Sequence, residues 1–439
     1  MEPTAQTDVQ PKAQPPEQTD AWQLSEQRLQ GLERLRADFP ALTAQPGAYL
    51  DNAATTHKPQ IVLDSVSGFY RDFNANPYRS QHRAAKQATE LYEGCRRVVA
   101  DHIGASSQEV IFTRNTTESL NLLAYAWGLH ELKAGDRIVL PIYEHHSNLV
   151  PWQFVAQQTG AELAFMYPNE AGQITAAEVE RVVTAKTKLI SCAQVSNVYA
   201  SASPVGLLVE AAKSVGARVF LDCAQSVAHL PLRLHDLDVD AAAFSGHKAY
   251  APMGIGVLYV RAELLEQMRP FLYGGEMIDQ VYEQESSYLE GSRRFEAGTP
   301  NVAGAFGLAV AVDYLQVLGW DAVSEIEAAL MGQLLKGLAG IAGLEVIGSL
   351  DPADRAGSLV SFYYPLLNTA DVAFELDASG FAVRAGTHCT QPLHRFLKLP
   401  TSLRVSPCFY NTPDEIAGFL EALNEVPARI SRRVISSLP

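Results

Sequence analysis

The chain has 439 residues, 47% of them hydrophobic, and a formal net charge of −15. That length supports a large core and two or three structural units. The negative charge argues against nucleic acid, which needs a concentrated basic surface, and against anionic membranes. Five cysteines, Cys95, Cys192, Cys223, Cys389 and Cys408, are scattered without CxxC spacing. They read as the reduced thiols of a cytoplasmic protein, most of them buried and inert. No basic stretch followed by an apolar one opens the sequence, so no secretory signal is expected.

Residues 1–22 are rich in Pro, Gln, Thr and Asp, with almost no large apolar side chains. Such a segment cannot bury enough surface to offset its ordering entropy and is expected to be a disordered tail. Residues 23–47 are expected to form a segment that packs on a small C-terminal domain. A large domain is expected over 48–319 and the small one over 320–439. From about Ala48, short β-rich runs alternate with amphipathic stretches. The runs are Glu109–Thr113, Asp136–Leu140, Lys188–Cys192, Ala217–Leu221, Asp240–Phe244 and Ile255–Val260. Near-continuous apolar strands between helices predict a mostly parallel sheet covered on both faces, with ligands beyond the carboxyl ends of the strands. The apolar stretch Val302–Leu318 carries Asp313 and Gln316 and reads as a buried helix rather than a membrane span. Beyond Gly319 come a long helical segment, short strands near Glu345–Ile347 and Val360–Phe362, and a closing helix from about Thr412. This is the pattern of a smaller α+β domain.

The strongest chemical signal is Phe244-Ser-Gly-His-Lys248 at the end of an apolar strand. Most lysines are surface lysines, but Asp222 closes a neighbouring strand, with Gln225 three residues on. Pyridoxal 5′-phosphate (PLP) needs both partners: a lysine to hold its aldehyde and a carboxylate to keep its pyridine nitrogen protonated. Arg114-Asn-Thr-Thr-Glu118 lies between a strand and a helix, where unpaired N–H groups favour a phosphate. Thr116 and Thr117 are the donors there, and the same residues would also serve as an ordinary helix cap. Ser245 and His247 are further phosphate donors. His145 and His146 lack a matching Cys/His set for zinc, and a flat imidazole at position 145 suits stacking on the pyridine ring.

These segments resemble a known group. Tyr49-Leu-Asp-Asn-Ala-Ala54, Glu144-His-His-Ser-Asn-Leu-Val-Pro-Trp152, Val195-Ser-Asn197, Asp222-Cys-Ala-Gln225, Ser245-Gly-His-Lys248 and Arg294-Phe-Glu-Ala-Gly-Thr299 resemble the class V aminotransferase superfamily, which has the PLP fold type I. With Val383-Arg-Ala-Gly-Thr-His-Cys389, the chain is similar to the SUF-type (group II) cysteine desulfurases from about Arg36 to about Leu423. The resemblance implies an α/β fold with a seven-stranded, mostly parallel sheet. It makes Lys248 the PLP lysine, Asp222 the pyridinium partner, Gln225 the donor to the ring hydroxyl and His145 the stacking residue. Thr117, Ser245 and His247 become phosphate ligands, and Thr299 would reach the phosphate of a neighbouring subunit in a homodimer. Asn197 and Arg404 would hold the substrate carboxylate, and Arg384 lies beside them as a further substrate contact. Arginine suits that task because its planar fork pairs bidentately with a carboxylate.

Cys389 lies in a segment, Arg384–Pro392, that reads as a loop, and it decides the reaction. It would take sulfur from L-cysteine as a persulfide, release L-alanine and pass the sulfur to a SUF-type acceptor protein for iron–sulfur cluster assembly. Arg384 or His388 would favour the thiolate if it pointed at the sulfur. A PLP-dependent cysteine or cystine C–S lyase, or a selenocysteine lyase, would use the same lysine, and the lyase would not need Cys389. Thr387, Pro407 and Asn76-Pro-Tyr-Arg79 depart from the pattern of the desulfurases.

Overall fold

The computed structural model describes residue 24, residues 26–44 and residues 47–436. The Pro/Gln-rich segment therefore lies outside the described residues. The large unit is built on seven strands: β1 (Val110–Thr113), β2 (Arg137–Pro141), β3 (Glu162–Met166), β4 (Thr187–Ala193), β5 (Arg218–Asp222), β6 (Ala241–Ser245) and β7 (Gly256–Val260). Their order across the sheet is β1-β7-β6-β5-β4-β2-β3. Only β7 runs antiparallel to its neighbours.

Side chains alternate between the two faces along each strand, and here both faces are buried. Val219 and Leu221 enter one apolar cluster, packed with helices Arg83–His102, Val205–Val215 and Val302–Leu318. Phe220, between them, enters the cluster on the opposite face with Trp127, Leu149 and Trp152. A polar side chain buried in such strands is costly without a partner, so polar groups collect mostly at the strand ends. Helix Val302–Leu318 is largely buried, packed chiefly on helices Arg83–His102 and Gln60–Gly68. Among the described residues no single helix is long and apolar enough to cross a membrane. The one helix pair with the combined length and composition is bent by 79° between Leu318 and Trp320.

The smaller unit has four antiparallel strands: β8 (Glu345–Ile347), β9 (Val360–Tyr363), β10 (Arg384–Gly386) and β11 (Ser402–Val405), ordered β8-β9-β11-β10. Helices Trp320–Ala339, Thr369–Ala378 and Pro413–Ser436 supply its core. The first part of the segment expected to be a loop, Arg384–Pro392, is thus strand β10. Its pairing with β11 places Arg384 opposite Arg404. The early helix Glu26–Arg36 packs against this unit, where Arg36 pairs with Glu415 at 2.8 Å and Phe39 joins the small-unit core.

A buried ion pair ties helix Arg83–His102 to β1. Arg96 donates to both oxygens of Glu296 at 2.6 and 2.8 Å and to the carbonyl of Val110 at 2.8 Å. Glu296 also accepts from the backbone N–H of Phe112 at 2.7 Å. Replacing Arg96 by Met leaves that carboxylate buried and uncompensated, which costs about 3–5 kcal/mol. Urea denaturation of Arg96→Met should show a loss of that size, and a change below about 1 kcal/mol would show that the pair does not hold the helix to the sheet.

Candidate active site

The carboxyl edge of the parallel strands opens on a cavity of about 270 Å³. Each strand that ends there delivers its next residues into the cavity. Asn115, Thr116 and Thr117 follow β1, His145 and Ser147 follow β2, and Val195 and Asn197 follow β4. Asp222 ends β5 ahead of Ala224 and Gln225, and Ser245 ends β6 ahead of His247 and Lys248. The small unit closes the cavity with Arg384, His388, Cys389 and Arg404. Of the thirteen residues expected at the site, twelve line it. Thr299 does not; it is exposed elsewhere on the chain.

The cup after β1 is a helix start. Asn115, with extended backbone, caps helix Thr116–Leu123 by accepting from the N–H of Glu118 at 3.0 Å. The hydroxyl of Ser245 accepts from the N–H of Thr116 at 2.8 Å and lies 2.7 Å from the Thr116 hydroxyl. The hydroxyls of Thr117 and Ser147 pair at 2.7 Å. Gly256 is required beside this cup, because a Cβ there would come within 2.6 Å of the Asn115 Cα.

Burial sets the charges. It lowers the Lys248 amine to about 8, although the Asp222 carboxylate pulls the other way. Asp222 is itself raised by burial, opposed by an N–H donated from Ala224 at 2.9 Å and by Lys248. His145 is driven down to about 3 by burial and by the nearby Lys248 charge, so its ring is neutral. Its Nδ1 accepts from the N–H of Ser147 at 3.1 Å, which leaves the proton on Nε2. His247 falls to about 4 for the same two reasons.

PLP fits this arrangement. The Nδ1 of His247 and the Nε of Arg404 are buried and have no hydrogen-bond partner among the described residues. An orphaned buried donor or acceptor costs about 1–3 kcal/mol, so such groups mark a place built for a polar ligand. Helix N–H groups and hydroxyls stand where a phosphate would sit, and Asp222 and Lys248 stand where a pyridine nitrogen and an aldehyde would need them.

Asp51, whose sequence setting gives no hint of a role, lies between the two arginines. It accepts from Arg384 through Nε at 3.1 Å and Nη2 at 2.9 Å, and lies 3.5 Å from Arg404. Arg404 also donates to the carbonyl of Asn197 at 3.1 Å. The side chain of Asn197 donates to the carbonyl of His388 at 2.8 Å, so its amide braces the cysteine turn from within the cavity. His388 is no activator of the thiol: burial and the Arg404 charge hold it neutral, down to about 2, and its Nε2 is 3.1 Å from the hydroxyl of Ser402. Of the five cysteines only Cys389 is exposed. Burial pushes the thiols of Cys95 and Cys223 up to about 12, and those of Cys192 and Cys408 upward as well.

The model of the aminotransferase class-V family matches residues 48–419. The chain belongs to that family. Among its class-V relatives, a probable cysteine desulfurase of Synechocystis is 43% identical over 89% of this chain and 94% of its own length. The cysteine desulfurase of Haloferax volcanii is 40% identical over 90% of this chain and 96% of its own. Two solved structures share the fold: the cysteine desulfurase CsdA of Escherichia coli and the apo cysteine desulfurase of Thermococcus onnurineus. Their TM-scores are 0.84 and 0.86, at 35% and 37% identity, over 91% and 90% of this chain and 98% and 97% of theirs.

Two outcomes follow for this class-V site. The free amine of Lys248 is the form that reacts with an aldehyde, and its fraction rises through about pH 8 rather than through the ordinary lysine range. The rate of covalent PLP capture by the apo-protein, fixed with borohydride and read by mass, should rise through the same pH; a rise centred near 10.5 would refute the depressed amine. Asp222→Ala should still bind PLP but lose about a hundredfold in turnover, the rate equivalent of ~3 kcal/mol for a charge-assisted partner in a dry site. Near-normal alanine release by that variant would remove Asp222 from its role.

Proposed function

We propose that this protein is a PLP-dependent cysteine desulfurase that converts L-cysteine to L-alanine and carries the sulfur as a persulfide on Cys389. One observation supports this above the rest: the only exposed cysteine lines the same cavity as Lys248 and the two arginines. Bound PLP supplies the electron sink for the charge left when the α-proton departs. The protein's own groups do the remainder. The buried Arg404, with its free Nε, and Arg384 take the substrate carboxylate, and the depressed Lys248 amine accepts the α-proton. Neutral His145 offers a flat face and a proton on Nε2. The Cys389 sulfur then attacks the substrate sulfur; the carbon–sulfur bond breaks and a sulfur–sulfur bond forms. The balance is L-cysteine plus the Cys389 thiol giving L-alanine plus the Cys389 persulfide.

The wider setting belongs to the same proposal. A SUF-type acceptor protein removes the persulfide sulfur for iron–sulfur cluster assembly, in the cytoplasm, where thiols stay reduced. The enzyme works as a homodimer. In support, Thr299 is exposed and outside the cavity of its own chain, and large apolar side chains, Met253, Tyr273 and Tyr282, are exposed among the described residues.

Cys389→Ser decides between this reading and a C–S lyase. The variant should retain PLP and bind L-cysteine but form no persulfide and no alanine. In the parent, mass spectrometry after one turnover should place the added sulfur on the peptide carrying Cys389. Full pyruvate and sulfide production by the serine variant would establish the lyase instead.

A further inference from the structure

Residues 387–390 form a tight turn closed by the N–H of Thr390 on the carbonyl of Thr387 at 2.8 Å. Its two central residues, His388 and Cys389, have φ of +49° and +58°. A turn left-handed at both central positions favours Gly, Asn or Asp, because a Cβ is crowded there. Placing His and Cys in it stores strain, which persists only where the surroundings hold the backbone. Ser402 of the small unit holds the His388 ring, and the large unit adds contacts to the turn's backbone. Asn197 donates to the carbonyl of His388 at 2.8 Å, and the N–H of His146 donates to the carbonyl of Cys389 at 2.8 Å. The ring of His146 then accepts from the N–H of Gln391 at 3.2 Å through Nε2.

We infer that His146 is a positioning residue for the nucleophile, clamping the strained turn that presents Cys389 by gripping the chain on both sides of Thr390. The inference rests on Cys389 being the persulfide carrier. The backbone half of the clamp is fixed by helix His146–Thr159, whose first residue is His146. Its unpaired N–H groups at this end must find acceptors outside the helix, and the Cys389 carbonyl is one. The side-chain half needs a neutral imidazole with Nε2 free to accept. Burial and the nearby Arg395 charge hold His146 below its ordinary range and so keep it in that form. Without the ring acceptor the exit of the turn loses its side-chain tether to helix His146–Thr159, and the turn relaxes toward a less strained backbone that carries the sulfur away from the cavity.

The test compares two PLP-loaded variants. His146→Phe keeps a ring of similar size but offers no acceptor; His146→Gln offers a carbonyl oxygen at about the reach of Nε2. Single-turnover persulfide formation on Cys389 should fall about five- to tenfold in the Phe variant, the rate equivalent of one hydrogen bond, and stay within about twofold of the parent in the Gln variant. The apparent KM for L-cysteine should not move in either. Hydrogen–deuterium exchange of the peptide carrying residues 387–392 should quicken in the Phe variant alone. Equal rates in parent and Phe variant, equal slowing in both variants, or loss of PLP from both would overturn the clamp. If Cys389→Ser still makes persulfide, the underlying reading falls; if it is dead while His146→Phe matches the parent, only the clamp falls.

Discussion

An amine and a carboxylate share one dry crevice at the ends of two adjacent strands, and the other groups of the site are ordered around them. Burial works against both charges: it pushes Lys248 down and Asp222 up, and their mutual attraction partly restores each. The crevice can be dry because the sheet behind it is largely apolar on both faces. The neutral state of His145 and His247 follows from the same burial and from the same lysine charge. Two neutral imidazoles and a depressed amine are thus consequences of a single low-dielectric crevice.

The two units are stitched together by a short early segment. Ala48 and Tyr49 pair in parallel with Phe381 and Ala382, and Asp51 bridges to Ser406, all in the small unit. A few residues later the carbonyl of Ala53 accepts from Gln225 at 2.8 Å, and the N–H of Thr56 donates to the carbonyl of His247 at 3.1 Å, both in the large unit. Between these anchor points sits the Asp51 carboxylate, holding Arg384 and approaching Arg404. Arg384 and Arg404 are therefore referenced to the Lys248 side of the cavity through about five residues of backbone.

Much of this was legible in the sequence, for reasons that particular elements make clear. Six strands of the large sheet announced themselves as apolar runs because both of their faces are buried. β3 did not: Glu162-Leu-Ala-Phe-Met166 is an edge strand, only half-buried, entered directly from a helix through Gly160 and Ala161. β10 was missed because Arg384-Ala-Gly386 carries no apolar run, and β11 because the alternation of Ser402-Leu-Arg-Val405 lasts only four residues. The chemistry at strand ends was readable since each functional side chain follows an apolar run at once. Contacts made across the chain were not, and Asp51 with Arg384, or His146 with the cysteine turn, have no local signature. His388 misled for the same reason: adjacency to Cys389 in sequence suggested a partner, and the left-handed turn sends its ring to Ser402 instead.

The distribution of thiols has its own consequence. Four cysteines are sealed in the core with their sulfurs held protonated, and one faces solvent. Under the proposed function, sulfur on Cys389 would find no second exposed thiol in the same chain, none with which to close a disulfide and none to serve as an internal relay. On that proposal the molecule is a one-berth quay: cargo leaves only when another vessel draws alongside.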